Sequence, residues 1–528
     1  MTVPQIIDQH GNPVSSGARM VREPYEGASR VQRDLAGWIP YKTSGQAALN
    51  FDRDLLTSRI QDMARNDGWA SAGMDRLVDT VIGGGWRLSS KPNWRALGID
   101  PEAAFELSSS IEAEWRDYVN HPGRYCDVTR ERVMGGQQAL AFRHRCLDGE
   151  ALAVIYYLPR GGDYGTSVNI IDPDRLSTPM AQLDSTRMRA GVELDRHGAA
   201  VAYHIRKQHP ADDILVGADF NKWERVLRET RTGRPRCVHA FEAKRAGQRR
   251  GEPVFTPILR KLRQVSKYDQ FELQAAALNA VLAAFVTTPF DQEGLMESLS
   301  GSGDSDLVKK YHQQQLAFHQ QNPFVMDGAQ INFMHAGEKV DLSKPAHPNA
   351  VFDAFMRVAL RNIASALGLS YEQLTMDWSQ VNYSSARAAL LEVWRGLTAR
   401  KTNFAATFMQ PIFMAWLEEA IAIGRVALPT GAPPFREYRA AYCTADWIGP
   451  GRGWVDPQKE ADAAVTRIDA GLSTLERECA EQGLDWVDVA EQRARERDKL
   501  KELGLEPDAP LRPTQTRDRP MPDDQVAA

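Results

Sequence analysis

Several things are scarce in this sequence, and each scarcity removes a class of function. Its 528 residues hold five cysteines, Cys126, Cys146, Cys237, Cys443 and Cys479. They form no Cys-x-x-Cys pair and have no close histidine pair, so neither a zinc site nor a disulfide framework is written here. Buried free thiols are the expectation. Positive charge is not in excess: 64 Lys and Arg stand against 69 Asp and Glu, a net charge of −5 with pI near 6.2. The field of the whole molecule therefore does not draw in a phosphate backbone, which disfavours tight, sequence-specific nucleic-acid binding. The first residues, MTVPQIIDQHGNPVSSGARM, lack a basic region followed by an apolar one. The longest apolar run, AAALNAVLAAFV, is too short to span a bilayer. A protein cytosolic at synthesis, neither secreted nor membrane-bound, is expected.

Catalytic signatures are missing too. The glycine-rich GGGW at 83–86 and GPGRGW at 449–454 lack the Lys-Ser/Thr that reaches phosphate and magnesium in a nucleotide-binding loop, so plain turns are expected. No His-Glu-x-x-His occurs, and no metal-ligating cluster of carboxylates stands out from the background of solvated faces. His144 and Cys146 lie close together, which raises a cysteine hydrolase as an alternative. Near-adjacent residues on one element do not normally converge on one reacting atom, and no nucleophile elbow accompanies them. A helix-to-strand turn is expected there. No catalytic residue, metal or cofactor is implied.

What is present is ordinary globular material, 43% apolar and 25% charged, with 12 tryptophans and length enough for two to four structural units. Residues 1–50 show no sustained period and read as an extended arm. Two helices follow in 51–82, broken near Asn66-Asp67-Gly68, and another covers 101–119 with Pro101 in its first turn. Residues 150–240 are rich in β-branched and aromatic side chains between turns, an antiparallel β region. Next comes a long helix from Thr256, a possible cap, with Pro257 at its first position. The interval 289–345 mixes Gly/Ser-rich, Gln-rich and strand-like segments, with a turn at Asp327-Gly328, and reads as a small module inserted between helices. Helix resumes at Ala350 and stops at Gly368. A polar loop, DWSQVNY, then precedes a long amphipathic helix for which Ser384 or Ser385 is the expected N-cap, contributing about 1 kcal/mol. Pro411 is expected to kink that helix. Residues 505–528 are Pro- and Asp-rich without period.

One stretch is locally basic. Between residues 222 and 250 lie Arg225, Arg228, Arg234, Arg236, Lys244, Arg245, Arg249 and Arg250, among others, mixed with Glu224, Glu229 and Glu242. Such a patch could touch phosphate non-specifically, as in a DNA-binding scaffold, or meet an acidic neighbouring subunit. The mixed signs favour an interface.

Several segments together resemble the portal proteins of lambda-type tailed phages: RNDGWASAGMDRLVDTVIGGGWRLS, HAGEKVDL, LRNIASALGLSYEQL, YEQLTMDWSQVNYSSARAALLEVW and DWIGPGRGWVDPQKEADAAVTRIDAGLSTLERECAEQG, in that order from about 50 to about 490. The resemblance implies a mixed α+β, multi-domain portal fold. Its parts would be an arm (1–50), an α/β wing (51–255), a first stem helix (256–288), a clip (289–345) and a second stem helix (346–368). A tunnel loop (369–384), a long kinked wing helix (385–425), a mainly helical crown (426–504) and a C-terminal tail (505–528) would follow. It further implies a homo-dodecameric ring at one capsid vertex of the virion, assembled in host cytoplasm. Its partners would be the terminase large subunit, the major capsid protein and a head-tail joining protein, with double-stranded DNA passing through non-specifically. Trp378, Gln380, Asn382 and Tyr383 would then be channel-facing loop residues. Trp378 could equally fold back into its own subunit core, and the sequence leaves both places open.

Overall fold

Capping and apolar spacing set the first elements. The computed structural model describes residues 25–30, 32–214, 222–282, 352–379, 383–451 and 456–505, with isolated positions between 313 and 321. Ser44 accepts from the Ala47 N–H and opens α1 (Gly45–Asn50), which is followed by α2 (Arg53–Asn66) and α3 (Gly68–Val81). Asp67 separates the last two and caps α3 by accepting from the Ala70 N–H. The arm expected to be extended through residue 50 thus ends in a helical turn, because Gln46 and Leu49 find burial there. Gly83 and Gly85 then take φ of 57° and 110°, and a Cβ on Gly85 would stand 2.8 Å from the Gly135 Cα. GGGW is a turn, as expected, tight enough to require glycine.

After β1 (Arg87–Ser90) and the short α4 (Trp94–Leu97), Asp100 caps α5 (Pro101–Asn120) with Pro101 at its first position. Its buried residues, Ala104, Leu107, Ile111, Trp115 and Tyr118, recur every three or four positions and make one stripe. Helix α6 (Met134–Leu147) leads into the β region. There β2 (Glu150–Tyr157) pairs antiparallel with β3 (Thr166–Ile171). A second antiparallel sheet runs β4 (Met188–Arg189), β5 (Val192–Leu194), β6 (Ala200–Arg206), β7 (Trp223–Leu227), and β8 (Cys237–Phe241) returns to the free edge of β2. Strand β2 is apolar on both faces. Ala151, Ala153 and Ile155 join the helical core, whereas Leu152 and Val154 join a smaller core with Val192, Leu194, Tyr203 and Val226 of the second sheet.

The second half is helical. A 3-10 turn at Thr256–Ile258 precedes α7 (Leu259–Leu282), so Thr256 lies inside the turn and the cap position falls on Phe255. Helices α8 (Phe352–Leu367), α9 (Tyr371–Thr375) and α10 (Tyr383–Phe404) follow. The π-helical turn Ala405–Met409 joins α10 to α11 (Gln410–Ala422), directly ahead of Pro411, the residue expected to disturb the helix. The rest comprises α12 (Arg439–Tyr442), β9 (Ala445–Ile448), α13 (Pro457–Asp469), α14 (Leu475–Glu481) and α15 (Trp486–Glu502). Strand β9 pairs antiparallel with β1, Arg87 opposite Ile448. The inserted module at 289–345, including Asp327-Gly328, lies outside the described residues.

Aromatic packing anchors the helical core. Trp115 of α5 meets Trp416 and Phe413 of α11 edge-on at 5.0 and 5.6 Å, and Trp447 of β9 at 5.8 Å. A buried charged junction lies at the head of β2. Glu150, fully buried at the head of β2, accepts from Arg250 Nε at 2.6 Å, from Arg53 at 3.3 Å and from the Gly251 N–H at 2.9 Å, and its second oxygen lies 2.9 Å from His239 Nε2. Burial alone would raise its pKa, but Arg250, His239 and Arg53 hold the carboxyl well below the usual carboxylate range.

Removing that charge leaves the buried Arg250 guanidinium without its anion and Arg53 with only Asp54 at 3.1 Å. Glu150→Gln is expected to cost about 3–5 kcal/mol, read as a lower urea midpoint by tryptophan fluorescence. Because the folded-state pKa is depressed, this stabilisation is fully present above the ordinary carboxylate pKa near 4.3 and is lost as pH falls below it. A midpoint unchanged in the variant at pH 7 would refute the assignment.

Candidate functional site

Helix α8 ends at Gly368, whose φ of 74° turns the chain, and Leu369 is buried behind it. Ser370 and Gln373 form a capping box: Ser370 Oγ accepts the Gln373 N–H at 3.2 Å and Gln373 Oε1 accepts the Ser370 N–H at 3.0 Å. Helix α9 is thereby fixed in direction. It closes on Met376, a left-handed residue with φ 57° whose N–H donates to the Glu372 carbonyl at 2.7 Å. Asp377 Oδ1 then accepts from the Ser379 N–H at 3.1 Å and hydroxyl at 2.6 Å, an Asx-type turn that keeps its carboxyl below the usual range.

Trp378 sits on this turn with 41% of its surface exposed, and Met376 beside it is more exposed still. Of the two places left open by the sequence, the interior of its own subunit is excluded. Gln380 and Asn382 lie outside the described residues, and Tyr383 is the first residue of α10. Helix α10 therefore begins earlier than expected. Ser384 and Ser385 lie inside its first turn rather than ahead of it, so neither is its N-cap.

Helix α10 carries this loop on a beam of 22 residues, roughly 33 Å long at the helical rise. Among its described side chains only Leu397 and Phe404 are buried, seven apart, so the helix rests on its subunit along a narrow line. Beyond the π turn the environment changes: Phe408, Met409, Ile412, Phe413 and Trp416 are all buried. The beam projects from a fixed root. Where it leaves the body, a groove of about 280 Å³ opens between Leu390, Trp394 and Arg387 of α10, Asp79 and Thr80 of α3, and Pro450.

The loop carries no cation. From Asn362 through Ala386 there is no lysine or arginine, while Glu372 and Asp377 are acidic. This feature was legible in the sequence as a gap in the spacing of basic residues. Such a surface offers polar and aromatic contact without phosphate-binding charge.

The basic stretch behaves differently from a phosphate-binding surface. Arg250 is 1% exposed and bound to Glu150 and to the carbonyls of Leu176, Ala190 and Pro173. It faces no surface, so its expected role at an interface or on DNA is wrong: the guanidinium is spent on a buried carboxylate and three carbonyls. Arg225 on edge strand β7 chelates Glu193 at 2.6 and 2.9 Å, and half-buried Arg234 donates to Thr166 Oγ1 at 2.7 Å. Lys244 pairs with Glu252 at 3.1 Å, Arg245 donates to the Thr43 carbonyl at 2.9 Å, and the Arg249 N–H donates to Gln46. These last contacts clamp the end of the arm. Arg228 is exposed and Arg236 half-buried.

Cys146 is buried, and burial pushes its thiol up to about 12, so it is no thiolate nucleophile. His144 Nδ1 is bound to Asp148 Oδ2 at 2.7 Å. Its pKa is raised: burial lowers it, but the Asp148 hydrogen bond and the charges of Asp148, Asp172 and Asp174 prevail. The fold also gathers Asp172, Asp174 and His209, with one ligand atom of each within 4.8 Å of the others. The Asp-Pro-Asp spacing at 172–174 is the sequence signal for this cluster, which was not expected. His209 lies 3.9 and 3.8 Å from the two carboxylates.

Residues 31–401 match the family described as phage portal protein, lambda family. The chain is 31% identical over 516 residues to the portal protein of Escherichia phage N15, covering 96% of each. It is 31% identical over 515 residues to portal protein B of Escherichia phage lambda, covering 96% of this chain and 95% of that one. Similarity to a probable portal protein of Halomonas phage phiHAP-1 is 26% over 495 residues, 90% of this chain and 87% of that one.

Two outcomes test the local geometry. Ser370→Ala should cost about 1 kcal/mol of α9 stability, seen as roughly fivefold faster amide exchange over residues 371–376. A thiol reagent should modify half-exposed Cys479 in the native protein, with the four buried cysteines reacting only on unfolding. Rapid native modification of Cys146 would revive the hydrolase alternative.

Proposed function

Because the chain belongs to the lambda family of phage portal proteins, we propose that it assembles as a homo-dodecameric ring at one capsid vertex, through which the terminase drives DNA inward and from which DNA later leaves. The family is structural, and the chain is not an enzyme. The observation that carries the reading is the family match across residues 31–401, joined to relatives that align over nearly the whole chain. In this reading the major capsid protein surrounds the ring, and head-tail joining proteins dock on it once the head is full. Assembly takes place in host cytoplasm and the product resides in the virion. No helix among the described residues is long and apolar enough to cross a membrane.

The parts divide as the resemblance suggests. The β sheets with α2, α3, α5 and α6 serve as the wing, α7 and α8 as stem helices, 289–345 as the clip, and 426–504 as the crown. Loop 369–384 faces the channel, with Trp378 carried there by α10. A conduit must let a polyanion slide, so a row of cations along the wall would trap it. The cation-free loop meets that requirement, and an exposed tryptophan supplies short-lived contact without net charge.

Purified protein imaged by negative stain is expected to show closed rings with an axial hole wide enough for duplex DNA. Persistent monomers under all assembly conditions would overturn the proposal. Trp378→Ala should leave ring assembly unchanged and reduce the DNA packaged per particle; equal packaging would remove that residue from the channel. Binding of duplex DNA to the ring should be weak, with a slope of log affinity against log salt shallower than about 3, unlike a dedicated scaffold with many phosphate contacts.

A further inference from the structure

The last three helices described bury none of their side chains fully in their own subunit. Helices α13, α14 and α15 span 13, 7 and 17 residues, and none contains a buried residue, although Ile468, Trp486, Val487 and Val489 are half-buried. Among the described residues, none beyond Ile448 enters either hydrophobic core. Their ties to the body include Arg87 and Arg116 to Asp488 at 3.2 and 3.0 Å, and Lys91 to Glu476 at 2.9 Å, exposed ion pairs of a kind that contributes little. Val465, Leu472, Leu475 and Leu484 are exposed, as are Leu500 and Leu503 further on. From Ala490 to Leu505 every residue is exposed, so the last turns of α15 stand clear of the subunit. A helix of this length without a packed face is marginal in water.

Charge says what covers it. Residues 456–491 hold 10 acidic and 3 basic side chains, net −7, whereas residues 492–502 hold 5 basic and 3 acidic, net +2. The unit is thus acidic over α13, α14 and the root of α15, and basic at the projecting end. Two such units placed face to face about a two-fold axis would set like charges together at the acidic faces. Head to tail, the basic end of one meets the acidic face of the next, which is the heterologous geometry that closes a ring.

We propose that the projecting end of α15 in one subunit docks on the α13–α14 face of the adjacent copy, with Arg493, Arg497 and Lys501 over the acidic side that includes Asp462 and Asp469. Leu500 and Leu503 meet Val465, Leu472 and Leu475 in the same contact. This inference rests on the ring reading above. It makes the C-terminal unit a clasp that completes its packing only between copies.

The test uses the full chain in two charge-reversed variants, R493E/R497E/K501E and D462K/D469K, with helix content checked by circular dichroism and assembly by native mass spectrometry and negative stain. Each variant alone is expected to need at least about tenfold more protein for half-assembly at low salt than the wild type. Mixed in equal amounts they should recover wild-type assembly, since every junction of an alternating ring then pairs opposite charges. Wild-type rings with both variants assembling normally would overturn the clasp and leave the portal reading intact. A loss in the basic-end variant that its partner does not rescue, accompanied by weaker DNA binding than the wild type shows, would instead assign that end to DNA and equally overturn the clasp. A wild type that forms no rings would overturn the portal reading itself.

Discussion

The junction at Glu150 is the constraint on which the β region and the helices around it depend. A carboxylate without solvent access is tolerated only where cations and donors replace its water, and here each replacement arrives from a different part of the chain. Arg53 comes from α2, His239 from β8, and Arg250 with the Gly251 N–H from the segment that leads to α7. Arg250 also reaches the carbonyls of Pro173, Leu176 and Ala190, which bound the second sheet. The backbone must come very close for this to happen. A Cβ on Gly251 would lie 1.9 Å from the Gly149 carbonyl oxygen, and Gly149 holds φ at 85°, so both positions require glycine. Shape and charge therefore specify one register for the two sheets and the helix that precedes them.

From that fixed body the α10 beam inherits its direction. The π turn at Ala405–Met409 lies directly ahead of Pro411, where the missing N–H would leave a carbonyl without its α-helical donor, and i→i+5 bonding shifts the ladder there. Phe404 and Phe408 stack at 5.0 Å across this turn, and Phe404 meets Trp86 and Phe142 at 5.9 and 5.2 Å. The irregular turn is thus clamped by aromatic packing, while before it α10 rests on the body through buried Leu397 and half-buried Val393. At the other end the capping box of α9 and the Asx turn at Asp377 fix the loop by hydrogen bonds alone. Trp378 is held at the tip of a lever whose root is rigid and whose tip is polar.

How much of this was legible in the sequence depended on how local the cause was. Pro101 behind Asp100, the glycine turn at 83–85, the break at Asp67 and the disturbance before Pro411 all stand in the structure as expected, because each follows from a few neighbouring residues. Misses arose where a partner distant in sequence decides. Nothing local distinguishes Arg250, buried against Glu150, from Arg228 on the surface, and the same holds for Arg245, which clamps Thr43. The helix at 45–50 is also a tertiary effect, since a Cβ on Gly45 would stand 2.9 Å from the Arg245 side chain. Ser384 and Ser385 lie just inside the helix they were expected to cap, the ordinary resolution of capping arguments. For the loop, the informative signal was an absence of lysine and arginine over 25 residues, which no motif describes.

These observations separate two kinds of stabilisation along one chain. Between α1 and β9 the chain has an interior of its own, with aromatic clusters and the Glu150 junction inside, while Phe271, Leu273, Phe355 and Val358 of α7 and α8 are exposed. Past Ile448 that logic stops, and the helices are joined to the body through exposed ion pairs. Ion pairs in water fix position weakly but discriminate sign well. A chain built this way fixes its body through a packed interior and joins to it, by contacts that read sign rather than shape, a unit whose charge pattern distinguishes one end from the other.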